Sequence, residues 1–334
     1  MNNLKNKTIQ LCGIGNGLVD MQFRVSDAII TKLPNIAKSE MRLIEELEQI
    51  STISLLKNIV PNRCSGGSAT NTLYAFAQFG GKGAYLTSVG DDGNGKYYYN
   101  ELDSVGIKYK NNIIKDKATG TCLVLITPDG ERTMLTCLAA SQYFGLEHLD
   151  EELIATSEWL YIEGYKFTEK EGKESIFKAI EIAKNNNTKI AITASDVFII
   201  NTCRDNFMSA LSNADLIFCN QNEASAITNT TAPDNIFNKL KQLCKNVVMT
   251  MGANGSVAFI EDKKYTFDAV RSNVIDTTGA GDMYAAGFLY GMLNFENEDK
   301  IERAGKLASL ASSEIVSQLG ARYSRSLQKL IASV

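Results

Sequence analysis

Histidine is nearly absent: the 334 residues contain one, His148. Zinc sites built on two or three imidazoles are thereby excluded, and the composition weighs against a Ser-His-Asp triad. His148 lies in the charged segment Leu146–Glu152, where a solvated surface position is expected. No apolar run is long enough to span a bilayer, and no basic stretch followed by an apolar core marks a secretory signal. Positive charge is not in excess either. A formal net charge of −4 leaves no footprint for nucleic acid or an anionic membrane. No C-x-x-C pair occurs among the seven cysteines, Cys12, Cys64, Cys122, Cys137, Cys203, Cys219 and Cys244. Most stand beside apolar residues and read as small buried hydrophobes in a reducing compartment, so a cytoplasmic location is expected.

What is present is ordinary globular composition, 44% hydrophobic and 22% charged. The length allows one large α/β domain or two. Asp276-Thr277-Thr278-Gly279-Ala280-Gly281-Asp282 precedes the small, apolar run Met283–Leu289. A glycine turn opening a buried helix aims unpaired N–H groups and the positive end of the helix dipole at one point, which is an anion site. Asp282 then puts a carboxylate where an anion should bind. Either it is a helix N-cap in a glycine-rich loop, or it takes a proton from a group attacking a bound phosphate.

Near the N-terminus, Thr8–Cys12 reads as a buried strand ending in Gly13-Ile14-Gly15-Asn16-Gly17-Leu18-Val19-Asp20. A dinucleotide fingerprint would need glycine at Leu18 and a helix after it, whereas Met21–Val25 looks extended. Asp20 is a turn residue or a ligand for a hydroxyl at the sheet's carboxyl edge. A helix-like piece follows near Met41–Ile53, and Ser65-Gly66-Gly67-Ser68-Ala69-Thr70-Asn71 brings a second glycine pair to a helix N-terminus. Gly90–Lys96 approaches a P-loop, but Tyr97 stands where the Mg²⁺-binding hydroxyl belongs. It reads as the turn before a helix over Lys96–Val105. From Ile107 to about Thr136 the pattern is of β-hairpins, suited to a small separate sheet that could act as a lid. From Trp159 onward strands and helices alternate, which predicts a mostly parallel sheet with helices on both faces. A helix is expected over Ser312–Arg322. Loops after parallel strands share one edge, so Asp20, Asn220, Thr250 and Gly279–Asp282 can converge.

In this order these motifs resemble, nearly end to end, the ribokinase-like (PfkB) family of carbohydrate and nucleoside kinases. Gly66–Asn71 is similar to its N-terminal signature, Asp276–Asp282 to its C-terminal one, and Asn220-Gln221-Asn222-Glu223 to its N-x-x-E motif. Gly13–Asp20, Pro128–Met134, Ala194–Asp196 and Arg204-Asp205 resemble the branch labelled adenosine-kinase-like. The resemblance implies a doubly wound, mostly parallel sheet flanked by helices, one domain over 1–334, with a β lid from about 21–60 and 107–137.

ATP and Mg²⁺ are implied as donor and cofactor. Asp282 would be the general base, and Gly279, Ala280 and Gly281 would offer N–H groups to the transferred phosphoryl. Asp20 would hold substrate hydroxyls with Asn16, Gly66, Gly67 and Asn71. Leu138, Ala140 and Tyr165 would sandwich a base. Asn220 and Glu223 would organise Mg²⁺ mostly through water. Thr250, Gly252, Gly255, Thr278 and Ser309 would lie about the nucleotide, and Asp276 with Thr278 are candidates for K⁺. Thr278 stands where eukaryotic adenosine kinases usually carry asparagine, which bears on base selectivity. The expected activity is phosphorylation of a nucleoside 5′-hydroxyl, adenosine first. The alternatives are a ribose- or fructose-type sugar kinase and a catalytically inactive ligand-sensing relative. A monomer or homodimer is expected.

Overall fold

The computed structural model describes residues 6–334. Its large sheet has nine strands in the order Lys263–Phe267, Ser256–Ile260, Asn246–Thr250, Leu216–Asn220, Lys189–Thr193, Ser157–Glu163, Ile9–Ile14, Gly83–Leu86 and Lys108–Tyr109. From Asn246–Thr250 across to Lys108–Tyr109 all neighbours run parallel; the other two strands are antiparallel. Parallel strands are buried on both faces, which is why their sequences are continuous apolar runs. Side-chain alternation divides them between two cores. Leu11, Tyr85, Trp159 and Tyr161 face the layer containing Leu73, Phe288 and Leu307. Cys12, Ile14, Leu160 and Ile162 face the opposite layer, with Ile176, Ile199 and Phe207. The helix Ala280–Asn294 is buried from Met283 to Leu289, as its uniformly apolar sequence requires.

A second, five-stranded sheet runs Met41–Leu43, Arg132–Cys137, Gly120–Ile126, Leu18–Arg24, Asn62–Gly66. Phe23, Leu123, Leu125 and Leu135 build a core of its own with Ile30 and Leu56. Three local expectations are revised. Met41–Leu43 is a strand paired with Arg132–Cys137, and the helix starts only at Glu46, because long-range pairing overrides local periodicity here. Lys108–Tyr109, inside the stretch read as hairpins, pairs with Gly83–Leu86 as an edge of the large sheet. It follows the helix Gly93–Ser104, so the three form one β-α-β unit. The last long helix is Lys300–Ile315, and turns occupy most of the stretch assigned to a helix ending at Arg322.

Asp92 caps the helix Gly93–Ser104, its Oδ1 accepting from Gly95 N at 2.8 Å, as a turn rather than a P-loop would have it. His148 is half-buried, not solvated: its Nδ1 accepts from Gly145 N at 2.9 Å and closes a tight turn. All seven cysteines are free, and five are buried. Among the described residues no helix is long and apolar enough to cross a membrane.

Candidate active site

Gly279 opens the buried helix in the left-handed region, at φ 73°. A Cβ there would lie 2.9 Å from Ala321 Cβ, so both conformation and space require glycine. Asp276 stitches the turn together. Its Oδ1 accepts from Thr278 N (2.8 Å) and Thr278 Oγ1 (2.7 Å), and its Oδ2 accepts from Gly320 N (2.8 Å). Arg132, from the smaller sheet, completes the set with Nη1 2.9 Å from Oδ1. A monovalent cation on this carboxylate would have to displace the guanidinium, so the Asp276 side chain does not fit a K⁺ ligand. Thr278 turns its hydroxyl to Asp276 and not to the cleft described below.

One turn on, Asp282 reaches across to the helix Ser68–Gln78. Its Oδ1 accepts from Ser68 Oγ at 2.6 Å and its Oδ2 from Asn71 Nδ2 at 2.9 Å. Burial pushes its carboxyl up to about 6, against the pull of Ser68, Asn71 and Arg322. The helix it grips starts after Gly67, at φ 91°, where a Cβ would collide with Asn16 O. Asp20 packs against Gly66 in the adjoining strand pair, Leu18 to Gly66 and Asp20 to Cys64. Burial lifts Asp20 to about 7; Arg322 and Arg132 oppose this, and Asp282 adds to it. Gly66 thus meets Asp20, Gly67 meets Asn16 and Asn71 meets Asp282, which brings these six residues into one neighbourhood.

Asn16 is held by groups that the sequence did not single out. Its Nδ2 donates to Glu163 Oε1 (3.2 Å), and its Oδ1 accepts from Ser141 Oγ (2.8 Å) and Lys166 Nζ (3.2 Å). Glu163 also accepts from Ala69 N at 2.9 Å, which fixes the glycine-pair helix to the large sheet. Burial raises its carboxyl to about 7. Glu163 had a visible signal, an acid closing the apolar run Leu160-Tyr161-Ile162 at a strand's carboxyl end. Arg322 was equally unforeseen. It donates to Ser65 O (2.9 Å), Ser65 Oγ (2.8 Å) and Thr70 O (3.1 Å), clamping the glycine pair from the C-terminal side.

On the far side of the Gly279 turn lies a cleft of about 600 Å³, lined by Thr250, Gly252, Gly255, Ala280, Gly281 and Ser309 among others. Four residues expected at a nucleotide therefore share one wall with the anion turn. Asn220 and Glu223 stand apart from it as a reciprocal cap. Asn220 N and Nδ2 donate to Glu223 Oε2 (2.8 Å) and Oε1 (2.7 Å), and Glu223 N donates to Asn220 Oδ1 (2.9 Å). Burial raises Glu223 to about 7, with Asp196 and Asp282 adding to it. Glu223, Asp196 and Asp282 together form an anionic field, which fits a divalent ion held through water. Among the described residues no cluster of three or more acidic, His or Cys side chains forms a direct metal cage. Of the residues expected at a base, Leu138 lines a second cavity, shared with Leu43, Thr168 and Glu169. Ala140 is fully buried, its N–H donating to Ala118 O and its carbonyl accepting from Ser88 Oγ. Tyr165 is half-buried near Ser195.

The architecture has close counterparts. A solved structure described as a probable sugar kinase protein from Rhizobium etli CFN 42 is 30% identical, covers 98% of each chain and superposes with a TM-score of 0.89. The adenosine kinase of Sinorhizobium meliloti is 31% identical, with 97% of this chain and 99% of that one covered, at a TM-score of 0.88. The adenosine kinase of Saccharomyces cerevisiae is 28% identical over 92% of this chain and 96% of its own length. The family model described as pfkB family carbohydrate kinase matches residues 31–328. With the Gly279 turn, Asp282 and the glycine-pair helix arranged as above, the chain belongs to the pfkB family of carbohydrate kinases.

Proposed function

We propose that the protein transfers the γ-phosphoryl group of ATP to the 5′-hydroxyl of a nucleoside, adenosine foremost. The observation that carries this is the position of Asp282. It sits on the first turn of the helix whose N-terminus lines the nucleotide cleft, while its carboxylate is held by Ser68 and Asn71 on the acceptor side. A base placed there can take the acceptor's proton as the acceptor oxygen bonds to phosphorus and ADP leaves. N–H groups at Gly279, Ala280 and Gly281 would meet the charge on the transferring phosphoryl. Asn16, Asp20, Gly66, Gly67 and Asn71 would hold the sugar. Thr250, Gly252, Gly255 and Ser309 would surround the donor. Mg²⁺, organised by Asn220 and Glu223 through water, would supply charge neutralisation at the phosphates. The smaller sheet, with its connecting segments over about 21–60 and 120–137, would be the lid of a single domain.

A sugar acceptor is the second reading, favoured by the 30% identical relative described as a sugar kinase. The test is ATP consumption with adenosine, inosine, guanosine, ribose and fructose 6-phosphate. Turnover with adenosine well above both sugars is expected; the reverse order overturns the nucleoside reading. Asp20→Ala is expected to raise the acceptor's KM by about 10- to 100-fold, the worth of charge-assisted hydrogen bonds to hydroxyls. The KM for ATP should hardly change, and equal effects on both substrates would remove Asp20 from the acceptor site.

A further inference from the structure

We propose that Glu163 is a positioning residue for the transfer step, aligning the helix that holds Asp282 with the loop that carries Asn16. The inference rests on the reading of Asp282 as the base and names what keeps that base in place.

Glu163 ends the strand Ser157–Glu163 and is only 1% exposed. Both of its carboxylate oxygens are committed to N–H donors on other segments. Oε2 accepts from Ala69 N at 2.9 Å, while Oε1 accepts from Asn16 Nδ2 at 3.2 Å and Asn16 N at 3.4 Å. Ala69 lies in the first turn of the helix Ser68–Gln78, between Ser68 and Asn71, the two residues that grip Asp282. Asn16 lies in the loop that leads from Ile9–Ile14 into Leu18–Arg24, the strand carrying Asp20. These parts are in direct contact. A Cβ on Gly15 would lie 2.4 Å from Glu163 Oε2, and one on Gly67 would lie 2.3 Å from Asn16 O.

Packing alone does not call for an acid here, since a buried carboxylate costs more than an apolar side chain of similar volume. Lys166 favours the charge from nearby but makes its ion pair with Glu169. What calls for an acid is that both partners are donors. Glutamine could accept from only one of them and would turn its NH₂ on the other. The Asn16 backbone N–H and the Ala69 backbone N–H cannot be turned over to accept. Losing either contact frees the helix start or the loop to shift, and a displacement on the order of 1 Å can cost about 10²-fold in rate. Glu163 touches neither substrate in this account; it acts through Ser68 and Asn71 on Asp282.

The test is a double-mutant cycle on kcat, with full-length protein, ATP, and whichever acceptor the substrate panel ranks first. Glu163→Gln alone is expected to lower kcat by about 10- to 100-fold while the KM for ATP stays within about twofold of wild type. In the Asp282→Asn background the same change should lower kcat by less than about twofold, because residues that act as a unit are not additive and no base is left to align. A purely structural role would cost the same factor in both backgrounds. Equal losses in the two backgrounds, or a loss below about twofold in the wild-type one, overturn the inference. The loss caused by Asp282→Asn itself then still supports the base. If Asp282→Asn keeps kcat within about tenfold of wild type, the base reading falls and this inference falls with it. Should Glu163→Gln not fold, Glu163→Asp, which keeps the charge but draws it back by one methylene, is carried through the same cycle and judged by the same outcomes.

Discussion

Asp282→Asn is expected to lower kcat by about 10²–10⁴-fold, the range that general base catalysis supplies, while acceptor binding measured by calorimetry stays nearly intact. The substitution keeps the shape of the side chain and its place on the helix. Ser68 can still donate to the amide oxygen. Asn71, which donates to Oδ2, has its own Oδ1 buried and unpartnered, so turning its amide over would let it accept from the introduced NH₂ instead. Geometry is thereby preserved and only the proton acceptor is lost. Turnover within tenfold of wild type would remove Asp282 from the role of base. Stability should move the other way. Asp282 is lifted to about 6, so the folded state holds its proton more tightly than the unfolded chain does. Its ionisation therefore costs stability, and that cost grows as pH rises from the unfolded value near 4 through 6. The neutral amide is free of it, and a melting temperature above wild type at pH 8 is expected.

The same shifts set the pH dependence of the wild type. Asp282 must be ionised to take a proton, and Asp20 must be ionised to accept most strongly from hydroxyls. With Asp282 at about 6 and Asp20 at about 7, kcat/KM should fall as pH drops from 8 towards 5. Asp282 raises Asp20, and Arg322 lowers both, so the limb belongs to the pair and not to either alone. In Asp20→Asn the acid limb should move to lower pH. A profile flat between pH 5 and 8 would contradict the burial of both carboxylates.

Base and anion turn together do not amount to a kinase. Removing one anion-hole donor costs about 10²–10³-fold; on the function proposed above, positioning of the two substrates would supply much of the remainder. Arg132 links the smaller sheet to the turn, since it leaves the strand Arg132–Cys137 and ends on Asp276.

What the sequence made legible follows from how local each signal is. Continuous apolar runs such as Ile190-Ala191-Ile192 and Val247-Val248-Met249 can only be strands buried on both faces. The Gly279–Asp282 turn carries its chemistry within four residues. The edge strand Lys108–Tyr109 and the strand Met41–Leu43 were missed because two or three residues have no period to read; their pairing partners define them. The supporting charges were missed for the opposite reason. Asn16 meets Glu163 across 147 positions and Arg322 meets Ser65 across 257, separations at which sequence spacing carries no information. Lys166 and Glu169 do lie three apart, but in a short 3₁₀ segment and its flank, where an amphipathic surface pair looks the same as a buried one.

Gly281→Ala tests whether the turn's second glycine serves the ligand and not the fold. A Cβ at Gly279 would meet Ala321 and a left-handed φ, so alanine there is a folding defect. At Gly281 the situation is reversed. It lies in the first turn of the helix Ala280–Asn294, and a Cβ built on it finds nothing within 4 Å. Alanine is also the better helix former, by up to about 1 kcal/mol in a helix interior. The melting temperature should therefore be unchanged or raised. Yet Gly281 lines the cleft proposed for the nucleotide, and a methyl group there would stand between the helix N-terminus and any phosphoryl group approaching it. A fall in kcat/KM for ATP of about 10²–10³-fold is expected, comparable to losing an anion-hole donor, with acceptor binding retained. Melting curves and ATP titrations on the same preparation separate the alternatives. An intact fold with crippled phosphoryl transfer places the anion hole at Gly281, whereas kcat/KM for ATP within tenfold of wild type would move the transferring group elsewhere in the cleft.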